Sequence, residues 1–118
     1  MTDADFDRFP WISPWRRISA RGREAYENEL RLEMTPGHPL YGVPCRALAR
    51  NAGNDDVLFL VPDTFTPLAL VHLTFIGRSE RQTQWPAVTL FADLSHWVIE
   101  CMMPDAARFE MDPFNRAA

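Results

Sequence analysis

Apolar side chains recur at helical spacing in two segments, one near each end of the chain. The first segment has a period of about 3.6 residues, with apolar or small side chains at Trp15, Ile18, Gly22, Ala25, Tyr26, Leu30 and Met34. Ser13-Pro14 is typical of a helix start and Thr35-Pro36-Gly37 of a helix end, which predicts a helix over residues 14–34. The second stripe, Leu94 to Met102, follows a capping Asp93 and precedes Pro104, which predicts a helix over residues 94–103.

Three segments between these helices have the patterns of β-strands, at residues 43–50, 56–61 and 68–76. In the first segment, small or apolar side chains alternate with mostly polar ones. The other two segments are apolar at nearly every position, as in central strands. Short polar connections between them predict an antiparallel meander. Residues 89–91 form either one more short strand or the approach to the last helix.

This order predicts an α+β fold, a two-layer sandwich with an N-terminal helix, a three-stranded antiparallel meander and a C-terminal helix. Both helices are expected on one sheet face, and the arm, the tail or a second chain on the other. The predicted domain is residues 13–104, between an acidic, aromatic arm over residues 1–12 and a tail over residues 105–118.

Length and charge narrow the class of protein. The 118 residues suit one domain, and a net charge of -4 without any Lys disfavours binding to nucleic acid. No apolar run is long enough for a membrane helix, so we expect no membrane partner. The N-terminus lacks the pattern of a secretory signal, which predicts a cytoplasmic location.

No motif in the sequence identifies a reaction. Phosphate-binding loops, nucleophile elbows and zinc-protease signatures do not occur, and the three His residues lack metal-ligand spacing, so neither a cofactor nor a metal is predicted. One enzymatic hypothesis remains, in which His72 is a general base, Cys45 is a nucleophile and His38 lies on a rigid loop that presents polar groups to a bound ligand. The structural alternative makes His72 a hydrogen-bonded strand residue, Cys45 a buried thiol and His38 a corner residue.

Acidic and aromatic residues point to a protein partner instead. Candidate partner-binding residues are Asp3, Asp5, Asp7, Trp11, Asp55, Asp56 and Trp85. Arg46 and Arg50 are expected on one face of their strand, where they bind an anion or protect a sheet edge.

Four segments resemble a group of small, uncharacterised bacterial proteins: GHPLYGVPCRALAR (37–50), DDVLFLV (55–61), LALVHLTFIG (68–77) and WPAVTLFADLSHWV (85–98). The resemblance implies a bacterial origin and one shared domain architecture, and it brings no catalytic residue with it.

The leading hypothesis is therefore a small, acidic, non-enzymatic binding protein of inhibitor or immunity type that neutralises a protein partner such as a basic toxin. The first alternative is a small enzyme or small-ligand-binding protein using His72, His38 and Cys45. The second is a structural homo-oligomer, such as a homodimer, formed through the open sheet face.

Overall fold

A computed structural model describes residues 2–79 and 82–112 and has an α+β fold. One sheet contains five antiparallel strands in chain order: Trp15–Arg17 (β1), Arg46–Asn51 (β2), Asp56–Leu60 (β3), Leu68–His72 (β4) and Ala87–Phe91 (β5). The α-helices are Asp3–Arg8 (α1), Arg23–Glu33 (α2), Leu94–Trp97 (α3) and Met103–Met111 (α4), and a π-helical turn, Val98–Met102, joins the last two. The predicted meander is present but gains a strand at each edge.

Helices cover both faces of the sheet, which corrects the predicted two-layer sandwich. On the face that we call the α2 face, Leu30 of α2 packs with Val57, Phe59 and Val71. On the opposite face, which we call the α4 face, Trp97 of α3 and Met102 of the π-helical turn that leads into α4 pack with Leu58 and Leu68. Because β3 and β4 are apolar on both sides, both sides require cover, and the result is three layers.

The N-terminal arm is part of the domain. Its helix α1 begins with a capping box in which Thr2 and Asp5 exchange hydrogen bonds. Phe6 is 1% exposed in the core of the α4 face, and the Trp11 ring packs edge-on against Trp97 with ring centroids 5.8 Å apart. The arm therefore helps to cover the α4 face of the sheet, which was one of the three predicted alternatives.

The predicted helix over residues 14–34 is wrong in its first third. Trp15 lies in the α4-face core and Ile18 in the α2-face core, whereas residues three apart in a helix share one side. The segment instead pairs with β2, and the Ile18 N–H donates to the Leu48 carbonyl at 2.9 Å. Only α2, from Arg23 to Glu33, is helical in this segment.

Pro104 does not end the last helix as predicted. The π turn precedes it, with the Met103 N–H donating to the Val98 carbonyl, and Pro104 then lies in the first turn of α4. A proline N–H is not needed there, so the helix continues to Met111. Part of the predicted tail is thus helical, and its residues 113–118 lie outside the described residues.

In the described ranges, no helix has the length and apolar character of a membrane span.

Candidate functional site

A cleft of about 570 Å³ opens between α2 and the turn that connects β2 to β3. One wall is a single face of α2, since its contributors are spaced by three or four residues. The other wall is the turn together with the adjoining ends of β2 and β3, and the segment that follows β4 closes one end. The lining residues are Gly22, Ala25, Tyr26, Glu29, Arg50, Asn51, Asn54, Asp55, Asp56, Val57 and Phe75.

Two aromatic rings contribute most of the large apolar side chains in this cleft. Tyr26 and Phe75 pack edge to face, with ring centroids 6.3 Å apart and an interplanar angle of 79°. Tyr26 is half-buried and Phe75 is exposed. Aromatic faces carry negative partial charge, so this pair is suited to contact with a cationic group.

Glu33 fixes the position of Phe75. The Glu33 carboxylate accepts the N–H and the hydroxyl of Thr74, both at 2.9 Å, and the N–H of Phe75 at 2.8 Å. Phe75 has a φ of 56°, in the left-handed region that non-glycine residues rarely adopt. A conformation of this kind persists when its surroundings hold it, and here the buried carboxylate is what holds it.

Burial changes the acidity of this carboxyl group. Glu33 is 0% exposed, and desolvation, together with a hydrogen bond that the protonated Glu33 carboxyl donates to Glu29, raises its pKa to about 7. The donors of Thr74 and Phe75 act in the opposite direction. Glu29 itself lines the cleft and accepts the Gly77 N–H at 3.1 Å. Two acidic residues of α2 therefore hold the segment from Thr74 to Gly77 against the helix.

The wall formed by the turn and the adjoining end of β2 contributes two exposed charges to the cleft. Arg50 and Asp55 are both exposed, and neither forms an ion pair with another residue in the ranges 2–79 and 82–112. The Asp55 main chain is held in place, because its carbonyl accepts the Leu73 N–H at 3.2 Å. Among the described residues, the Asp55 carboxylate thus has no ion-pair partner, and its main chain is held by a hydrogen bond.

A β-bulge separates the two arginines that were expected on one face. The register between β2 and β3 shifts between Ala47 and Ala49, so that Arg46 lies opposite Leu60 and Arg50 opposite Val57. Leu60 belongs to the α4 face and Val57 to the α2 face. Because directly opposed residues share a side of the sheet, the expected common face is wrong, and only Arg50 reaches the cleft.

The acidic residues of the arm contact arginines of this same chain. Asp3 pairs with Arg46, with Arg23 at 3.3 Å and with Arg17 at 3.7 Å. Desolvation acts to raise the pKa of Asp3, but Arg46 and Arg23 outweigh it and lower the pKa below its ordinary value. Asp7 pairs with Arg17 at 3.0 Å, and Asp5 serves the capping box of α1. These predicted partner-binding acids have internal partners.

The structure does not bring His72 and Cys45 together. Arg46, the neighbour of Cys45, pairs with Leu60 of β3, which in turn pairs with Leu68 at the start of β4. His72 lies at the other end of β4, roughly 13 Å along the strand from Leu68. Cys45 packs on the α2 face, and burial followed by the charge of Glu27 raises its pKa to about 11. His72 is half-exposed, and its Nδ1 lies 2.8 Å from Oδ1 of Asp56, its cross-strand neighbour.

His38 occupies a corner between the connector and the segment before β5. Its Nδ1 accepts the Leu40 N–H at 3.0 Å, and its Nε2 donates to the Pro86 carbonyl at 2.8 Å. Both ring nitrogens are thereby used, and the side chain is buried.

The two tryptophans predicted to contact a partner lie in different environments. Trp11 packs inside the domain and donates to the Phe6 carbonyl at 2.8 Å, whereas Trp85 is exposed.

Comparison of the chain with protein-family models, with curated proteins and with solved structures gave no match. The cleft is therefore characterised from its own chemistry. Sequence reasoning found Asp55 and Arg50 but missed the roles of Glu33, Glu29 and Phe75. One signal for Glu33 is its spacing, since it lies three residues after Leu30 on the buried stripe of α2, where an acidic residue needs an internal partner.

Proposed function

We propose that this protein is a non-catalytic binding protein of inhibitor type, and that its cleft receives a cationic side chain of a protein partner. The observation that carries the proposal is that one cleft contains both the Tyr26–Phe75 ring pair and the exposed carboxylate of Asp55, which forms no ion pair with residues 2–79 or 82–112. An arginine or lysine that enters the cleft meets ring faces and carboxylates together. This combination favours a basic partner, such as the toxin considered from the sequence.

The charges around the cleft refine the chemistry of this partner. Glu29 and Asp55 supply negative charge, and Arg50 is the basic residue among the lining side chains. A partner surface that presents an acidic residue beside the inserted cation would pair with Arg50 at the same time. Such paired contacts give specificity and orientation as well as affinity.

The reactive side chains support a binding role over a catalytic one. Burial raises the pKa of Cys45 and of Cys101 to about 11, which keeps both thiols protonated and weakly nucleophilic at neutral pH. His38 uses both ring nitrogens within the fold. Both cysteines are free thiols, in keeping with our further proposal that the protein acts in the cytoplasm.

The test has two steps. The chain is first used to capture a stoichiometric partner from its native cell, and calorimetry then compares variants against that partner. Tyr26→Ala and Asp55→Asn should each weaken binding by at least about tenfold, whereas Glu110→Gln, on the exposed surface of α4, should leave it unchanged. Binding that survives both cleft variants at full strength would show that the cleft is not the contact site.

A further inference from the structure

Strand β5 forms an edge of the sheet, and its outward hydrogen-bonding groups can be identified from the register. In an antiparallel ladder, residues bonded to one neighbour alternate with residues bonded to the other. The Val61 N–H donates to the Pro67 carbonyl at 2.7 Å and the Leu73 N–H to the Asp55 carbonyl at 3.2 Å. The odd-numbered positions in and beside β4 therefore face β3, and its even-numbered positions face β5.

This alternation fixes the orientation of β5. The even-numbered residues of β4 lie opposite Ala87, Thr89 and Phe91, whose main chains therefore face β4. The N–H and C=O groups of Val88 and Leu90 consequently point away from the sheet. No hydrogen bond from these groups is found to any residue in the ranges 2–79 and 82–112. The outward carbonyl of Pro86, in contrast, is occupied by His38.

The two edges of the sheet differ in their protection. The β1 edge is three residues long and contains Arg16 and Arg17. The β5 edge is five residues long, AVTLF, and carries no charge, proline or bulge. Leu90 is 42% exposed on it. Natural proteins protect free edges with charge, proline or bulges, and an uncharged edge with an exposed leucine is typical of a pairing surface.

We propose that β5 pairs in antiparallel fashion with β5 of a second copy of this chain, in the register centred on Thr89. In this register, Val88 lies opposite the partner subunit's Leu90, and Leu90 opposite the partner subunit's Val88. Each of these pairs exchanges two N–H···O bonds, so every outward group within β5 is satisfied. The two sheets join into one continuous sheet across a two-fold axis, and the exposed Leu90 packs beside an apolar neighbour.

The geometry favours a second copy over an unrelated strand because β5 is self-complementary. Its two outward residues are both apolar and are placed symmetrically about Thr89, so two identical strands meet without like-charge contacts. A register centred on Val88 is less favourable, since it places Leu90 opposite the partner subunit's Pro86, which has no N–H and whose carbonyl His38 already uses. This interface is separate from the cleft and does not depend on its function.

Sedimentation velocity over a concentration series provides the first test. The wild-type chain should form a dimer, and Leu90→Lys, which places a charge at an already exposed edge position, should weaken dimerisation by at least about tenfold. The matched control is Ile99→Lys, which makes the same change at a residue 68% exposed on the π turn. A monomer at every concentration, or equal dimerisation of the wild type and Leu90→Lys, would overturn the proposal.

Cross-linking tests the register itself. A non-hydrogen-bonded antiparallel pair has Cα atoms about 4.5 Å apart, within the range that a disulfide spans. Thr89→Cys should therefore give a covalent dimer under mild oxidation. Phe65→Cys, at a fully exposed turn position, controls for collisional cross-linking. Equal cross-linking of the two variants would contradict the Thr89-centred register.

Discussion

The buried carboxylate of Glu33 accepts the main-chain N–H of Phe75 at 2.8 Å and so ties the cleft wall to helix α2. The same carboxylate accepts both donors of Thr74. One side chain of α2 thus satisfies the backbone at the point where the chain leaves β4. The cleft depends on this contact, because Phe75 supplies one of its two aromatic rings.

Removal of Glu33 should destabilise the fold. Glu33→Ala leaves the donors of Thr74 and Phe75 without their acceptor, and we expect the free energy of unfolding to fall by about 3 kcal/mol. Urea denaturation measures this change, and Glu110→Gln serves as the surface control. A loss no larger than that of the control would show that water replaces the carboxylate at no cost.

The raised pKa of Glu33 predicts a pH dependence of stability. The folded-state pKa of about 7 exceeds the ordinary value of 4.5, so the folded chain binds this proton more tightly than the unfolded chain. The contribution is fully present below about pH 4.5 and is lost as the pH rises through 7. Denaturant unfolding between pH 4.5 and 8 should thus show a falling component that Glu33→Gln removes. An identical slope in the variant would assign the dependence to other groups.

Asp3 should contribute in the opposite sense. Its pKa is lowered, so its contribution is present above about its ordinary pKa of 3.8 and is lost as the pH falls through the lower, folded-state value. Because its side chain is 42% exposed, we expect Asp3→Asn to cost no more than about 1 kcal/mol at pH 7. Thermal unfolding at low and high salt provides the check, since added salt should reduce the difference. A loss that salt does not change would indicate packing as the cause.

A contact between Trp15 and Asp105 connects the β1 edge to α4. The Trp15 Nε1–H donates to the Asp105 carboxylate at 2.8 Å, and Trp15 is 1% exposed. In a double-mutant cycle, Trp15→Phe removes the donor and Asp105→Ala the acceptor. We expect a coupling energy of about 1 kcal/mol in urea unfolding. Additive losses would mean that this hydrogen bond does not stabilise the fold.

The sequence pattern predicted the central strands well, because β3 and β4 are apolar runs bounded by turn residues. It failed at residues 15–18, because Trp15 and Ile18 fit a helical stripe as readily as a strand whose two faces are both buried. The continuation past Pro104 depends on a π turn, for which the apolar spacing gives no signal. Edge strands such as β1, only three residues long, are specified by their neighbours more than by their own residues.

The candidate site was predicted only in part. Asp55 and Arg50 stood out as charges at a turn and on a strand, and both line the cleft. The β-bulge that places Arg46 and Arg50 on opposite faces is a shift in the pairing of β2 with β3. The residues of β2 alone do not predict such a shift. The internal pairing of Asp3 with arginines from three elements is a long-range contact that local patterns leave open.

The most direct test of the central claim is a nuclear magnetic resonance titration of the chain with arginine amide as the cationic probe. We predict saturable shifts of the Tyr26, Asp55 and Phe75 main-chain resonances, with a dissociation constant on the order of millimolar. Asp55→Asn should weaken this response, and glutamate amide should produce none. Shifts that are absent, or equal for both amides, would contradict a cleft built for a cationic side chain.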